Sequence, residues 1–156
     1  MPDTVNLGGY TITFLGTESI EDMETWSYSV TKEGNPDPEI KSWTLELCFK
    51  PLHNVISSSG SGVVVIGQGK PCIPMAGRTI KWEQLNNDNV EGIYTFTLEG
   101  SYQKAERQIA VYAGPFCHRA LITGPSCVEN PREEYPEEEL CLAERSGEAN
   151  VNNLQP

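Results

Sequence analysis

Apolar and polar residues alternate with a period of two along most of the chain. In Thr25-Trp26-Ser27-Tyr28-Ser29-Val30-Thr31 the aromatic and aliphatic side chains fall on one face and the hydroxyls on the other. The same holds for Ser42-Trp43-Thr44-Leu45-Glu46-Leu47 and for Tyr94-Thr95-Phe96-Thr97-Leu98-Glu99. Shorter stretches repeat it at Tyr10–Phe14, Thr79–Trp82 and Gln108–Ala113. One wet and one dry face per strand is the pattern of antiparallel sheets packed in pairs. Val63-Val64-Val65-Ile66 is apolar throughout and reads as a strand covered on both sides. Arg119–Thr123 reads as the last strand.

Turn-forming clusters separate these runs: Gly8-Gly9, residues 34–38, the Ser/Gly stretch 57–62, Asn86-Asn87-Asp88-Asn89, Gly114-Pro115 and Gly124-Pro125. About eight or nine short strands so punctuated predict an all-β, antiparallel β-sandwich or jelly roll. One helical turn is predicted near Ser19–Met23. The sandwich is assigned to residues 1–128, and an acidic tail to 129–156. That tail carries Glu133-Glu134-Tyr135-Pro136-Glu137-Glu138-Glu139 and then Leu140-Cys141-Leu142. The charges predict a solvated tail. Tyr135, Leu140 and Leu142 instead predict docking on the body or on a neighbouring subunit.

At 156 residues one domain can bury about two-thirds of its unfolded surface, so the fold does not require staples. No apolar run is long enough for a transmembrane helix, and Met1–Thr4 lacks the basic-then-apolar order of a secretory signal. The net charge of −11 is unevenly spread, at −7 over residues 1–40, +2 over 41–128 and −6 over 129–156. An acidic chain without a basic cluster excludes nucleic acid as a partner and matches anionic membrane surfaces poorly. Acidic ends around a mildly basic middle serve solubility, or bring the ends of one copy to the middle of another.

Five cysteines are an odd number, so in an oxidising compartment at least one is left over. The register of its strand puts Cys48 on the outward face with Ser42, Thr44 and Glu46, within reach of a covering loop. Cys127, just past the last predicted strand, can fold back over a sheet. Connectivity is not readable from sequence; Cys48 with Cys127, and Cys72 with Cys117, are the expected pairs. Cys141, in the tail, is the expected intermolecular or free thiol. Five reduced thiols in a cytosolic protein are the competing reading. A zinc site from Cys117, His118 and Cys127 lacks any Cys-x-x-Cys frame.

Nothing in the chain composes an active site. His118 adjoins Cys117, but adjacent residues point apart. His53 reads as a loop residue. Gly67-Gln68-Gly69-Lys70 lacks the phosphate-loop frame, and the acids sit in loops and tail rather than on inward strand positions. No enzymatic activity is expected. Trp26, Trp43 and Trp82 fit the core register, which leaves Tyr112 as the candidate exposed aromatic. No cofactor is expected, with calcium at residues 86–89 or at the tail glutamates as the sole candidate ion. The outward Thr and Ser rows (Thr11, Thr13; Ser27, Ser29; Thr95, Thr97) could order water or ice, although β-propensity accounts for them.

The segments Ser42–Cys48, Gln108–Gly114 and Gly124-Pro125-Ser126-Cys127 resemble those of small bacterial surface β-sandwich proteins, in which a strand ending in Leu-Cys is followed downstream by Gly-Pro-x-Cys. The histidine that precedes the tryptophan in them is Ser42 here. The resemblance implies a surface location and a Cys48–Cys127 pairing. A looser similarity is to the disulfide-linked jelly-roll subunits of endospore appendages, whose arm cysteine would correspond to Cys141 at the opposite terminus. The sequence therefore predicts a structural protein of a cell or spore surface that partners itself as an oligomer or fibre, through its tail and an intermolecular disulfide. The alternative is a monomeric module binding glycan or calcium through loops at one end of the sandwich.

Overall fold

A computed structural model describes residues 1–68 and 78–131. It contains ten strands: β1 Thr4–Leu7, β2 Tyr10–Ile20, β3 Met23–Lys32, β4 Ile40–Leu47, β5 Val55–Ser59, β6 Val63–Gln68, β7 Arg78–Glu83, β8 Gly92–Glu99, β9 Tyr102–Ala113 and β10 Phe116–Glu129. They form two five-stranded antiparallel sheets, ordered β1-β2-β3-β8-β5 and β10-β9-β4-β7-β6. The architecture is the expected β-sandwich.

The dry faces of the alternating strands meet in one core. Trp43 and Trp82 are cross-strand partners with ring centroids 4.5 Å apart. Tyr94, from the opposite sheet, sets its edge against both at 5.4 and 5.5 Å. Phe14, Tyr28 and Phe96 extend this aromatic layer along the first sheet. Edge-to-face and offset contacts of this kind add about 0.5–1.5 kcal/mol each beyond the area they bury. The two tyrosine tips are satisfied from the margins, Tyr28 donating to the Thr123 carbonyl and Tyr94 to that of Val90, whereas the buried indole N–H groups of Trp26 and Trp43 find no partner among the described residues. Burial raises both phenols above their ordinary pKa.

One long side of the sandwich is closed by the N-terminus. Thr123 N–H and Oγ1 both donate to the Pro2 carbonyl, and Oγ1 also reaches Asp3. On the other side the chain passes from β5 in one sheet to β6 in the other through Gly60-Ser61-Gly62. Gly62 has φ +77°, and a Cβ there would stand 2.0 Å from the Glu83 carbonyl oxygen. Gly62→Ala is therefore expected to cost more than about 2 kcal/mol of stability, from a clash added to left-handed strain, read as a fall in the urea midpoint.

Several local expectations are corrected. Val63–Ile66 is an edge strand, not one covered on both sides, since Val63 and Val65 are 45% and 43% exposed. Ser19–Met23 is the tip of the β2–β3 hairpin rather than a helical turn, with Glu21 at φ 56° making the reversal. The last strand runs from Phe116 to Glu129, well beyond residues 119–123, and Asn130 is still tied to Ser101. The body thus continues past residue 128. Residues 132–156, including Tyr135, Leu140, Cys141 and Leu142, lie outside the described residues, as does Cys72.

Candidate functional site

Four features could carry function: a disulfide clasp, a groove on one outer face, a hydroxyl array on the other, and one open sheet edge. Cys48 and Cys127 form a disulfide with a Cα–Cα distance of 5.6 Å. Cys48 is not outward-facing as its register suggested. Strand β4 stops at Leu47, and the chain turns inward, leaving Cys48 2% exposed. The bridge joins the end of β4 to β10 across the intervening β9. Cys117 is also disulfide-bonded, and its predicted partner Cys72 is not described.

The clasp is built around His53, which sequence reading left as an ordinary loop residue. His53 is fully buried. Its backbone N–H donates to the Cys48 carbonyl, and its Nδ1 accepts from the Cys48 N–H at 2.9 Å, closing a tight loop. Nε2 then has to carry the proton, which it donates to the Ser126 carbonyl at 2.9 Å. The ring thereby ties together the backbones of the two bridged segments. Tyr102 packs edge-on against it at 4.4 Å, and the Arg78 guanidinium caps its carbonyl. Burial holds the imidazole at about 4; the Ser126 bond raises it, and the charges of Arg107 and Arg78 press it lower. Arg107 also stands 3.9 Å from the Cys127 sulfur. A thiolate at Cys48 would form at a buried sulfur, a poor leaving group, so the bridge is suited to holding rather than to exchange.

Two adjoining depressions share Lys81, Glu83 and Tyr112 on the outer face of the second sheet; the deeper holds about 290 Å³ over Thr44, Thr79 and Gly67. Lys81 and Glu83 pair at 2.8 Å, and Lys41 lines the shallower depression. The Thr44 hydroxyl has no partner, but it is sealed from solvent and offers a ligand nothing. Tyr112 is half-buried rather than an exposed platform, and Tyr102 is only 5% exposed.

The outer face of the first sheet differs. Cross-strand register places Asn6, Thr11 and Thr31 in one row, and Thr4, Thr13, Ser29 and Ile93 in the next. Gly16, Ser27, Thr95 and Ser59 follow, then Glu18, Thr25, Thr97 and Ser57. Eleven of these fifteen positions are Ser or Thr, and Glu18, at the end of its row, is the one charge.

The amide oxygens of the Asn-rich turn are engaged within the fold, which leaves the Asp88 carboxylate as its exposed acid. Asn86 Oδ1 accepts the N–H groups of Asp88 and Asn89, Asn89 Oδ1 accepts that of Asn86, and Asn87 Oδ1 accepts the Tyr10 hydroxyl. Among the described residues no group of His, Cys, Asp and Glu is placed to hold a metal, and Cys127 is already committed to its disulfide. Compared with protein-family models, curated proteins and solved structures, the chain matches none.

Proposed function

We propose that this chain is a non-enzymatic structural subunit of a cell or spore surface that assembles with copies of itself, and that β6 is the edge through which it pairs. The observation that carries this reading is the contrast between β6 and the other three edges. Strand β1 is four residues long, and the segment before it is bonded to β10. Strand β10 is covered on that side, carries Arg119 and Pro125, and breaks register between Pro125 and Glu129. Strand β5 has five residues and a bulge between Val55 and Ser57. These are the usual protections of an edge.

Strand β6 has none of them among the described residues. Val-Val-Val-Ile-Gly-Gln carries no charge and no proline, and its pairing with β7 is unbroken. Among the described residues no strand pairs with its other side, so its outward N–H and C=O groups offer a template for another strand, and the β-branched residues favour that pairing. Two copies related by a twofold axis could pair β6 to β6 antiparallel. Each copy has one such edge among the described residues, so growth beyond a dimer calls on a second contact. The acidic tail, with Tyr135, Leu140, Leu142 and an intermolecular bond through Cys141, is proposed for that role. A Cys48–Cys127 bridge fits an oxidising surface location.

Val65→Lys tests this reading. The side chain is outward and solvent-exposed, so the fold should tolerate the change, while each copy would bring a lysine into the new pair. Sedimentation velocity is expected to show the wild-type chain as dimer or larger and Val65→Lys shifted at least tenfold in concentration toward monomer. Identical profiles would remove β6 as the pairing edge.

A further inference from the structure

We propose that the outer face of the sheet β1-β2-β3-β8-β5 is a docking surface for a neutral polyhydroxyl solid, an uncharged insoluble polysaccharide. The composition of the face is the first argument. In a chain that is 21% charged with a net charge of −11, a solvated sheet face of fifteen positions would hold about four charged side chains. Among these fifteen positions Glu18 alone is charged, at the margin, and Glu99 stands in the row beyond it with Ile20 and Met23. Charge instead lies on the opposite outer face, where Lys81 pairs with Glu83. β-propensity explains the threonines but not Ser27, Ser29, Ser57 and Ser59, because serine is not a favoured strand residue.

Hydrogen-bonding capacity is the second. Each hydroxyl has one donor and two acceptor sites. Thr25 and Thr97 bond to each other at 2.7 Å, and Ser59 and Thr95 at 2.6 Å. Each such pair uses one hydrogen and one lone pair, which leaves a second hydrogen and further lone pairs for a partner. The complement is a partner that also offers donors and acceptors together without charge, which describes sugar hydroxyls. A polyanion would be repelled by the net charge, and a polycation would be drawn to the acidic termini rather than to this face. No aromatic side chain lies in the four rows, so recognition here is by hydrogen bonding rather than ring stacking.

Size argues against a second copy as the occupant. Strands about 4.8 Å apart, with residues rising about 3.4 Å, give the fifteen positions roughly 500 Å². That is under about two-thirds of what each partner buries in a stable protein–protein interface. A repeating solid presents many equivalent sites instead, and copies held together add their weak contacts.

The test is depletion of the purified full chain from solution by microcrystalline cellulose and by chitin, at low salt and at 1 M NaCl, with ice crystals run in parallel. Retention by a polysaccharide, unchanged by salt, is expected. Ser29→Lys with Thr95→Lys should weaken it at least tenfold, with the melting temperature checked. If that pair fails to fold, Ser27→Ala with Thr97→Val keeps the shape and removes two hydroxyls, and should weaken retention at least threefold. Lys81→Ala, on the opposite face, should leave retention unchanged. Absence of retention, retention by ice alone, loss at high salt, or folded face variants that bind like the wild type would each overturn the proposal.

Discussion

Replacing Cys48 and Cys127 together by serine is expected to lower the free energy of unfolding by about 4 kcal/mol. The bridge spans 79 residues of sequence. Closing a loop of that size removes entropy from the unfolded chain worth about 4.5 kcal/mol in the chain-entropy account. Strain and residual structure in the unfolded chain reduce what is realised. The loss should appear as a fall of roughly 10 °C in the melting temperature of a body this size. A change below about 1 kcal/mol would mean that the His53 bonds hold the two segments without the covalent link.

The second large effect is on pH dependence. His53 binds its proton in the folded state only near pH 4, against an ordinary value of 6.5. Above pH 6.5 both states are neutral and the contribution of the buried ring is complete. As pH falls from 6.5 toward 4 the unfolded chain takes up a proton that the folded chain refuses, so stability is lost, by about 3 kcal/mol in all. The structural cause is specific: protonating Nδ1 would set an N–H against the N–H of Cys48. His53→Ala should be less stable at pH 7.5 by about 3 kcal/mol, from the cavity and the orphaned Cys48 N–H. It should also lose the extra slope. Urea unfolding of both proteins at pH 7.5 and 4.5 separates this group from the carboxylates, which both share. Parallel losses in the two proteins would remove His53 as the source.

The two-layer β architecture was legible because period-two alternation is a direct consequence of strand geometry, and the longest alternating runs all became central strands. Elements without alternation were missed. Strand β5, Val-Ile-Ser-Ser-Ser, reads as a turn because its serines are turn formers, and only pairing with β8 fixes it as a strand. Val63–Ile66 was recognised as a strand but placed in the interior, because an apolar run does not say whether a neighbour exists on each side. Topology alone makes it an edge.

The clasp was half legible. Gly-Pro-Ser-Cys and the Leu-Cys strand end marked the bridge, yet the orientation of Cys48 was misread because the register was carried one residue past the strand's end. His53 gave no signal at all. A histidine after proline and leucine in a polar stretch looks solvated, and its burial depends on Tyr102 and Ser126, which lie 49 and 73 residues away in sequence. The hydroxyl rows were visible strand by strand. Their continuity across five strands, and the near absence of charge among them, required the register.

The central claim is self-assembly of a sandwich with an open edge. Light scattering on the purified full chain over a hundredfold range of concentration, with and without reductant, tests it most directly. The account predicts a mass above the 17.2 kDa of one chain that grows with concentration under both conditions, larger species that persist on dilution being dissolved by reductant. A constant mass of one chain throughout, oxidised and reduced, would contradict it.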